Sequence, residues 1–152
     1  MSVRVISALN PEEMQALQRQ GAREVLVLKF GADWCGPCQR LKPLVACWLA
    51  VQGAHIRFVE IDVDESLDLY LALKRKRMVS ALPTMLAYDG SSERPLWYVP
   101  DDSVIGADVV AVSAFLARCT AKAGALALAG ALAKAGALAL AEVESAPYTY
   151  YT

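Results

Sequence analysis

The chain has 152 residues and nearly balanced charge, with 15 Lys and Arg against 16 Asp and Glu. This length suits one hydrophobic core with an appendage. The near-neutral net charge gives no overall reason to expect nucleic-acid binding, so no nucleic acid is expected. The opening segment has no apolar run ahead of its first charges, so we expect no secretory signal and a reducing compartment, the cytoplasm, with nucleus and organelles left open.

The first half of the chain alternates between strand and helix patterns. In chain order, the predicted elements are a strand at 3–5, a helix from 11 to about 21, a strand over 24–30, a helix that begins at the cysteine motif and ends at about 51, and a strand over 56–63. Asn10 is a good N-cap, with Pro11 at the first helical position and Glu13 at the capping-box position. The strand at 24–30 is nearly all apolar, which is typical of a strand buried on both faces.

The second half continues the alternation and then adds a hairpin. The predicted elements are a helix over 65–78 capped by Asp64, a strand over 84–88, a turn over 89–95, a strand over 96–99, a loop over 100–108 and a helix over 108–122. This order, βαβαβαββα, predicts an α/β sandwich with a mixed central sheet.

The spacing of the four cysteines indicates which kind of chemistry the chain can perform. Cys35 and Cys38 are two residues apart, whereas Cys47, Cys119 and the single histidine, His55, are isolated. Zinc usually takes about four ligands in two short-spaced pairs, so a metal site is not expected. A structural bridge across two residues closes too small a loop to stabilise much, and reducing compartments disfavour one. Redox chemistry by Cys35 and Cys38 is the strongest interpretation, with Cys47 and Cys119 as packing residues.

The segment VLVLKFGADWCGPCQRLKP, residues 25–43, resembles the active-site segment of thioredoxins. In SALPT, residues 80–84, Pro83 matches the family's cis-proline, and Pro43 matches the proline that kinks the active-site helix. Asp89-Gly90 matches the turn that follows the next strand. The resemblance spans roughly residues 3–120 and implies a thioredoxin fold, a three-layer α/β/α sandwich, as a domain over 1–120 followed by an extension over 121–152.

The resemblance also implies an enzyme, a protein dithiol–disulfide oxidoreductase. A helix that begins at the motif points its free N–H groups at Cys35 and favours the thiolate, so Cys35 is expected to attack a substrate disulfide. Cys38, more buried, is expected to resolve the mixed disulfide. No cofactor is implied beyond the Cys35–Cys38 disulfide, and the implied partners are protein disulfides and a disulfide reductase as electron donor.

Around the two cysteines the resemblance implies a substrate-binding surface. Its residues are Trp34, Gly36, Pro37, Ala81, Leu82 and Pro83. Trp34 is expected to form a flat surface beside the thiol, Gly36 and Pro37 to hold the cysteines close, and Pro83 to present backbone for strand-like pairing. The predicted strand at 96–99 lacks the glycine that the family carries near its active site.

Lys29 departs from the family, which usually has a buried aspartate at this place in the strand. Glu60 falls where those proteins usually carry a lysine, so the two charges are exchanged. We expect the side chains to approach each other behind Cys38, since either charge alone is costly in a dry setting. Either Glu60 accepts the proton of Cys38, or Lys29 exchanges protons as an amine. In the alternative, Lys29 extends to solvent and takes no part.

The helix before Pro83 is longer than in the family by about one turn and ends in KRKR, residues 74–77. The simpler interpretation is a solvated helix end whose positive charges suit the C-terminal dipole. The alternative is a basic patch that selects acidic partners.

Residues 123–141 repeat a six-residue unit, AGALAL or AGALAK, with alanine at every odd position. Alanine and leucine favour a helix, which can continue the preceding one, although three glycines weaken it. Lys134 and the small side chains argue against a membrane span. The alternative function is an interaction subunit of a larger assembly, docked through residues 121–152, where Tyr148, Tyr150 and Tyr151 could anchor to a partner.

Overall fold

A computed structural model describes residues 3–4 and 8–145, and its centre is a five-stranded sheet in the order β1-β3-β2-β4-β5. The strands are β1 (Val3–Arg4), β2 (Val25–Gly31), β3 (Ile56–Asp62), β4 (Thr84–Asp89) and β5 (Asp102–Ile105). The first three run parallel, β4 is antiparallel to β2, and β5 is antiparallel to β4. The sheet is therefore mixed, as predicted; residue 5 of the predicted first strand lies outside the described residues.

In the described part of the chain, four helices cover the sheet: α1 (Pro11–Gln20), α2 (Gly36–Ala50), α3 (Leu67–Arg75) and α4 (Val109–Ser145). The start of α1 confirms the predicted capping box. The Asn10 side chain accepts a hydrogen bond from the Glu13 amide at 2.8 Å, and the Glu13 carboxylate accepts one from the Asn10 amide at 3.2 Å. These bonds satisfy amides that a helix start leaves without partners.

The seven residues of β2 are all buried, and their alternation builds two cores. Leu26 and Leu28 belong to one core, with apolar residues of α1 and α3. Val25 and Val27 belong to the other, with residues of α2 and α4. The result is the three-layer α/β/α sandwich with β2 at its centre, which fixes the position of the loop that follows β2.

The start of α3 differs from the prediction. Its N-cap is Ser66, not Asp64, and the helix ends at Arg75, three residues before the predicted end. The hydroxyl of Ser66 accepts a hydrogen bond from the Leu9 amide at 2.8 Å, which joins this end of α3 to the segment before α1. Asp64 points elsewhere, to the indole of Trp34.

The second hairpin strand was predicted in the wrong place. Residues 96–99 form turns, and β5 lies at Asp102–Ile105, inside the predicted loop. Trp97 and Tyr98 pack edge-to-face and lie against the core with α1 and α3, which draws this segment away from the sheet. Gly106 follows β5 directly and donates its N–H to the Pro83 carbonyl at 2.7 Å. The glycine missing from 96–99 is therefore present as Gly106.

Helix α4 runs unbroken for 37 residues, through the predicted domain boundary at 120. Ala123 and Leu126 still belong to the core with α2, whereas the leucines from Leu128 onward are exposed. By length and composition alone, Val109–Glu144 is long and apolar enough to cross a membrane, and 11% of its most apolar stretch is buried, so the expectation against a membrane span stays a prediction. The tyrosines of the C-terminal segment lie outside the described residues.

Candidate active site

Cys35 lies at the junction of the loop after β2 and the first turn of α2. It is the N-cap residue, with extended backbone, and its sulfur accepts a hydrogen bond from the Cys38 amide at 3.3 Å. The Cys35 amide donates to the Ala32 carbonyl at 3.1 Å, which fixes the turn into the helix. The sulfur therefore sits where free N–H groups and the positive end of the helix dipole converge.

Cys35 and Cys38 form a disulfide, with their Cα atoms 5.2 Å apart. Cys38 is the more buried of the two, as predicted, with 2% of its surface exposed against 6% for Cys35. In this oxidised state Cys35 is itself largely covered. The first turn of α2 imposes this difference, since it turns residue 38 towards the sheet.

Two further residues shape the surroundings of Cys38. A Cβ on Gly31, the last residue of β2, would lie 3.4 Å from the Cys38 sulfur, an ordinary contact distance, so the end of β2 lies directly beside Cys38. Pro43 lies inside α2 and has no N–H for the preceding turn. The exposed Gly36 and the half-buried Pro37 occupy the two positions between the cysteines.

Trp34 forms the exposed surface that was predicted beside the disulfide, with 69% of its area accessible. Its indole N–H donates to Asp64 at 2.8 Å, and the Asp64 amide donates to the Asp62 carboxylate, also at 2.8 Å. Asp64 was missed as a site residue because it was assigned to a helix cap. The sequence did contain a signal for this role: Asp64 comes two residues after β3, which is parallel to β2, so both strands end at the same edge of the sheet.

Pro83 follows a cis peptide bond with Leu82, as predicted. Phe30 pairs with Thr84 in the antiparallel ladder, so β4 begins at the end of the sheet where β2 leads into Cys35. Pro83 itself is buried and its carbonyl already accepts from Gly106. The exposed Ala81 and the half-buried Leu82 are therefore the part of this loop that a substrate could reach first.

Lys29 and Glu60 are direct neighbours across β2 and β3, and their side chains meet at 3.2 Å from Nζ to Oε1. Lys29 is only 2% exposed, which excludes the alternative in which it extends to solvent, whereas Glu60 is 39% exposed. Both line a cleft of about 170 Å³ together with Gly31 and Cys38. The predicted approach behind Cys38 is thus present, and the cleft connects the pair with the second sulfur.

The remaining cysteines lie away from this site. Cys119 is buried in α4, and burial, with a smaller effect from Asp102, raises the pKa of its thiol to about 12. Cys47 is exposed, which contradicts its predicted packing role. Within the described residues, no cluster of three or more His, Cys, Asp or Glu side chains could hold a metal ion.

Comparison with known proteins supports one family. A sequence model of the thioredoxin family matches residues 5–98. Thioredoxin-2, mitochondrial, of Schizosaccharomyces pombe is 36% identical over 100 residues, which are 66% of each chain. The thioredoxin of Coprinus comatus is 28% identical over 120 residues, covering 78% of this chain and 99% of that protein.

Among solved structures, reduced Schistosoma mansoni thioredoxin pre-protein superposes with a TM-score of 0.58 at 26% identity, covering 77% of this chain and 98% of that one. The chain spans about two thirds of the length of the fission yeast relative. None of these matches supports the assembly role predicted for residues 121–152. The match over 5–98, with the shared fold, shows that the chain belongs to the thioredoxin family.

Proposed function

We propose that the chain is a thioredoxin-type thiol–disulfide oxidoreductase that reduces disulfides in proteins. The observation that carries the proposal is the position of Cys35, which caps α2 and forms a disulfide with Cys38 one turn along. A sulfur at a helix start is favoured as the thiolate, and the thiolate is the form that attacks disulfides.

The proposed reaction begins with both cysteines reduced. The Cys35 thiolate attacks one sulfur of a substrate disulfide, which breaks that bond, forms a mixed disulfide and releases the other substrate sulfur as a thiolate. Cys38 then loses its proton and attacks the Cys35 sulfur, which releases the second substrate sulfur. Two electrons pass to the substrate, and the Cys35–Cys38 disulfide remains, as in the structure. A disulfide reductase is the proposed donor that restores the dithiol.

The proposed substrate-binding surface surrounds the disulfide. Trp34 supplies an exposed flat ring held by Asp64. The residues between and opposite the cysteines supply backbone and small side chains; they are Gly36, Pro37, Ala81, Leu82 and Pro83. Substrate contacts are assigned to the loop before β4 because that loop starts at the same end of the sheet as Cys35.

Lys29 and Glu60 are proposed to carry the proton that Cys38 must lose. Burial of Lys29 and the shared cleft with Cys38 support this role. The half-exposed Glu60 connects the cleft to solvent, so a proton accepted inside has a route out. The pair acts through Cys38 and is expected to change the rate of the second step rather than the first.

The proposed setting is the cytoplasm, a compartment reducing enough to keep the dithiol available. The fission yeast relative is named mitochondrial, so mitochondria are the second compartment to examine. Imaging of the full chain with a fluorescent tag distinguishes the two.

Insulin reduction, with a small dithiol as electron donor, tests the activity. We expect Cys35→Ser to abolish the reduction because the attacking sulfur is lost. Cys38→Ser, reduced beforehand and freed of the dithiol, is expected to trap a mixed disulfide that can be isolated on a non-reducing gel. Cys47→Ser is the matched control, since Cys47 is a free, exposed cysteine on the same helix. Insulin reduction by Cys35→Ser at the rate of the unaltered chain contradicts the proposal.

A further inference from the structure

Four consecutive cations, Lys74 to Arg77, form a basic patch at the end of α3. All four are exposed, and within the described part of the chain none of them forms a salt bridge. Two of them lie over aromatic rings instead, Lys76 over Tyr98 at 4.1 Å and Lys74 over Tyr70 at 5.6 Å from the ring centroids. These rings hold the cations in place without neutralising them.

The backbone at the patch is unusual for an arginine. The Met78 amide donates to the Leu73 carbonyl at 2.9 Å and the Arg77 amide to the Lys74 carbonyl at 3.0 Å, which is the Schellman pattern of a helix end. Arg77 occupies its left-handed position with φ of 59°, where glycine is the usual residue. An arginine there is strained, and strain retained at a surface position points to a role for the side chain outside the fold.

The patch lies close to the proposed substrate surface. Arg77 precedes Pro83 by six residues, so the chain between them spans at most about 20 Å. A protein partner of standard size covers about 800 Å² of each surface, a disc about 32 Å across. A substrate seated over the exposed residues 80 and 81 therefore reaches the patch.

We propose that the basic patch 74–77 selects protein substrates that carry acidic residues beside their disulfide. The inference rests on the proposed reductase function and names its substrate class. Four cations that form no salt bridge with the described residues raise the rate of encounter with acidic partners, and they do so without contact with the reacting sulfurs.

Two disulfide-bonded peptides test the selection, identical except that three glutamates flank the disulfide in one and three glutamines in the other. The full chain is reduced beforehand and freed of reductant, and the second-order rate of peptide reduction is measured at low salt. We expect the unaltered chain to prefer the glutamate peptide about tenfold, and salt of about 0.2 M to remove most of that preference.

The patch variant and its control remove the same number of positive charges. We expect the preference to fall to about twofold in Lys74→Gln/Arg75→Gln/Lys76→Gln. In the control, Arg19→Gln/Arg23→Gln/Lys134→Gln, we expect it to persist, since Arg19 and Arg23 lie near the start of β2, at the opposite end of the sheet from Cys35. An equal loss of this preference in both variants would show that the net charge of the chain, and not the local patch, sets the preference. If the unaltered chain reduces both peptides equally, the selection is wrong and the reductase function stands; if it reduces neither, the proposed function itself fails.

Arg77→Gly distinguishes substrate selection from folding stability, because the substitution is expected to raise the stability and to lower the rate with the glutamate peptide. Glycine relieves the left-handed backbone, so we expect a rise of about 3 °C in Tm. Loss of one cation is expected to lower the rate with the glutamate peptide about twofold and leave the glutamine peptide unchanged. A more stable variant with an unaltered preference overturns the role of Arg77.

Discussion

Two ion pairs of this chain each join a buried charge to a half-exposed partner, and we propose different roles for them. Lys29 meets Glu60 at 3.2 Å, with side-chain exposures of 2% and 39%. Asp89, at the far end of β4, meets Lys122 of α4 at 2.9 Å, with exposures of 4% and 53%. By distance and burial alone the two pairs are nearly equivalent.

Their hydrogen bonding separates them. One oxygen of Asp89 accepts from the amide and the hydroxyl of Ser91, at 2.8 and 2.7 Å, and the other contacts Lys122. Lys29, among the described residues, hydrogen-bonds to Glu60 alone and keeps two further N–H donors. We therefore propose that Asp89 stabilises the fold, whereas Lys29, with spare donors beside a cleft that Cys38 also lines, takes part in proton exchange.

The largest expected effect comes from removing the charge of Asp89. Burial would raise the pKa of Asp89, but hydrogen bonds from Ser91 and Lys122 outweigh it and lower the pKa below its ordinary 3.8. Because the folded pKa lies below the unfolded one, the stabilisation is present above pH of about 4 and is lost as the pH falls through the folded pKa. We expect Asp89→Asn to lower the free energy of unfolding by about 2 kcal/mol at neutral pH.

Urea unfolding at several pH values measures this loss, and the gap between Asp89→Asn and the unaltered chain should close as the medium becomes more acidic than pH of about 4. Glu93→Gln is the control, since it makes the same chemical change at an exposed residue of the same hairpin. A gap that stays constant down to pH of about 2 would show that the carboxylate charge does not stabilise the fold.

The second largest effect is expected at Lys29, and it should appear in the rate of insulin reduction rather than in the free energy of unfolding. We expect Lys29→Met to slow insulin reduction about tenfold near neutral pH and to change its pH profile, because the substitution breaks the pair that is proposed to carry the proton of Cys38. The fold should persist, since an apolar side chain of similar volume replaces a buried charge.

Lys42→Met provides the control for Lys29, because Lys42 is an exposed lysine that lines the same cleft. Its pH profile should match that of the unaltered chain. A Lys29→Met profile that is likewise unchanged would remove the proton-relay role and leave the pair as structural as Asp89 and Lys122.

The two pairs also show what the sequence could predict. The approach of Lys29 and Glu60 was predicted from the resemblance, which placed Glu60 where the family carries a lysine near its buried aspartate. The parallel register of β2 and β3 makes the two residues direct neighbours. Asp89 was assigned only to a turn, and there the glycine after it is required, since a Cβ on Gly90 would overlap the Gly21 carbonyl. Its pairing with Lys122 depends on how α4 docks on the sheet, which no local pattern encodes.

The same limit explains the errors at the site. Cys35, Cys38, Trp34 and Pro83 were found because they lie in short motifs with fixed spacing. The displaced β5 was not, because Trp97 and Tyr98 have strand propensity but are drawn to the core by tertiary packing. Misplacing β5 also hid Gly106, which contacts Pro83 through its backbone.

The smallest expected effect comes from the exposed partner, Lys122. The hydrogen bond to Asp89 raises the pKa of Lys122, so the amine stays charged through the neutral range. Because Lys122 is half exposed and Ser91 still binds Asp89 in its absence, we expect Lys122→Met to lose less than half as much stability as Asp89→Asn.

Salt should reduce the loss of stability in Lys122→Met, whereas the loss in Asp89→Asn should persist, because salt screens an exposed charge more than buried hydrogen bonds. Urea unfolding at low and high salt, with Lys134→Met of the exposed part of α4 as control, measures the difference. Equal losses in Lys122→Met and Asp89→Asn would mean that the ion pair, not the Ser91 hydrogen bonds, stabilises the buried carboxylate, and the contrast with Lys29 would then rest on the cleft alone.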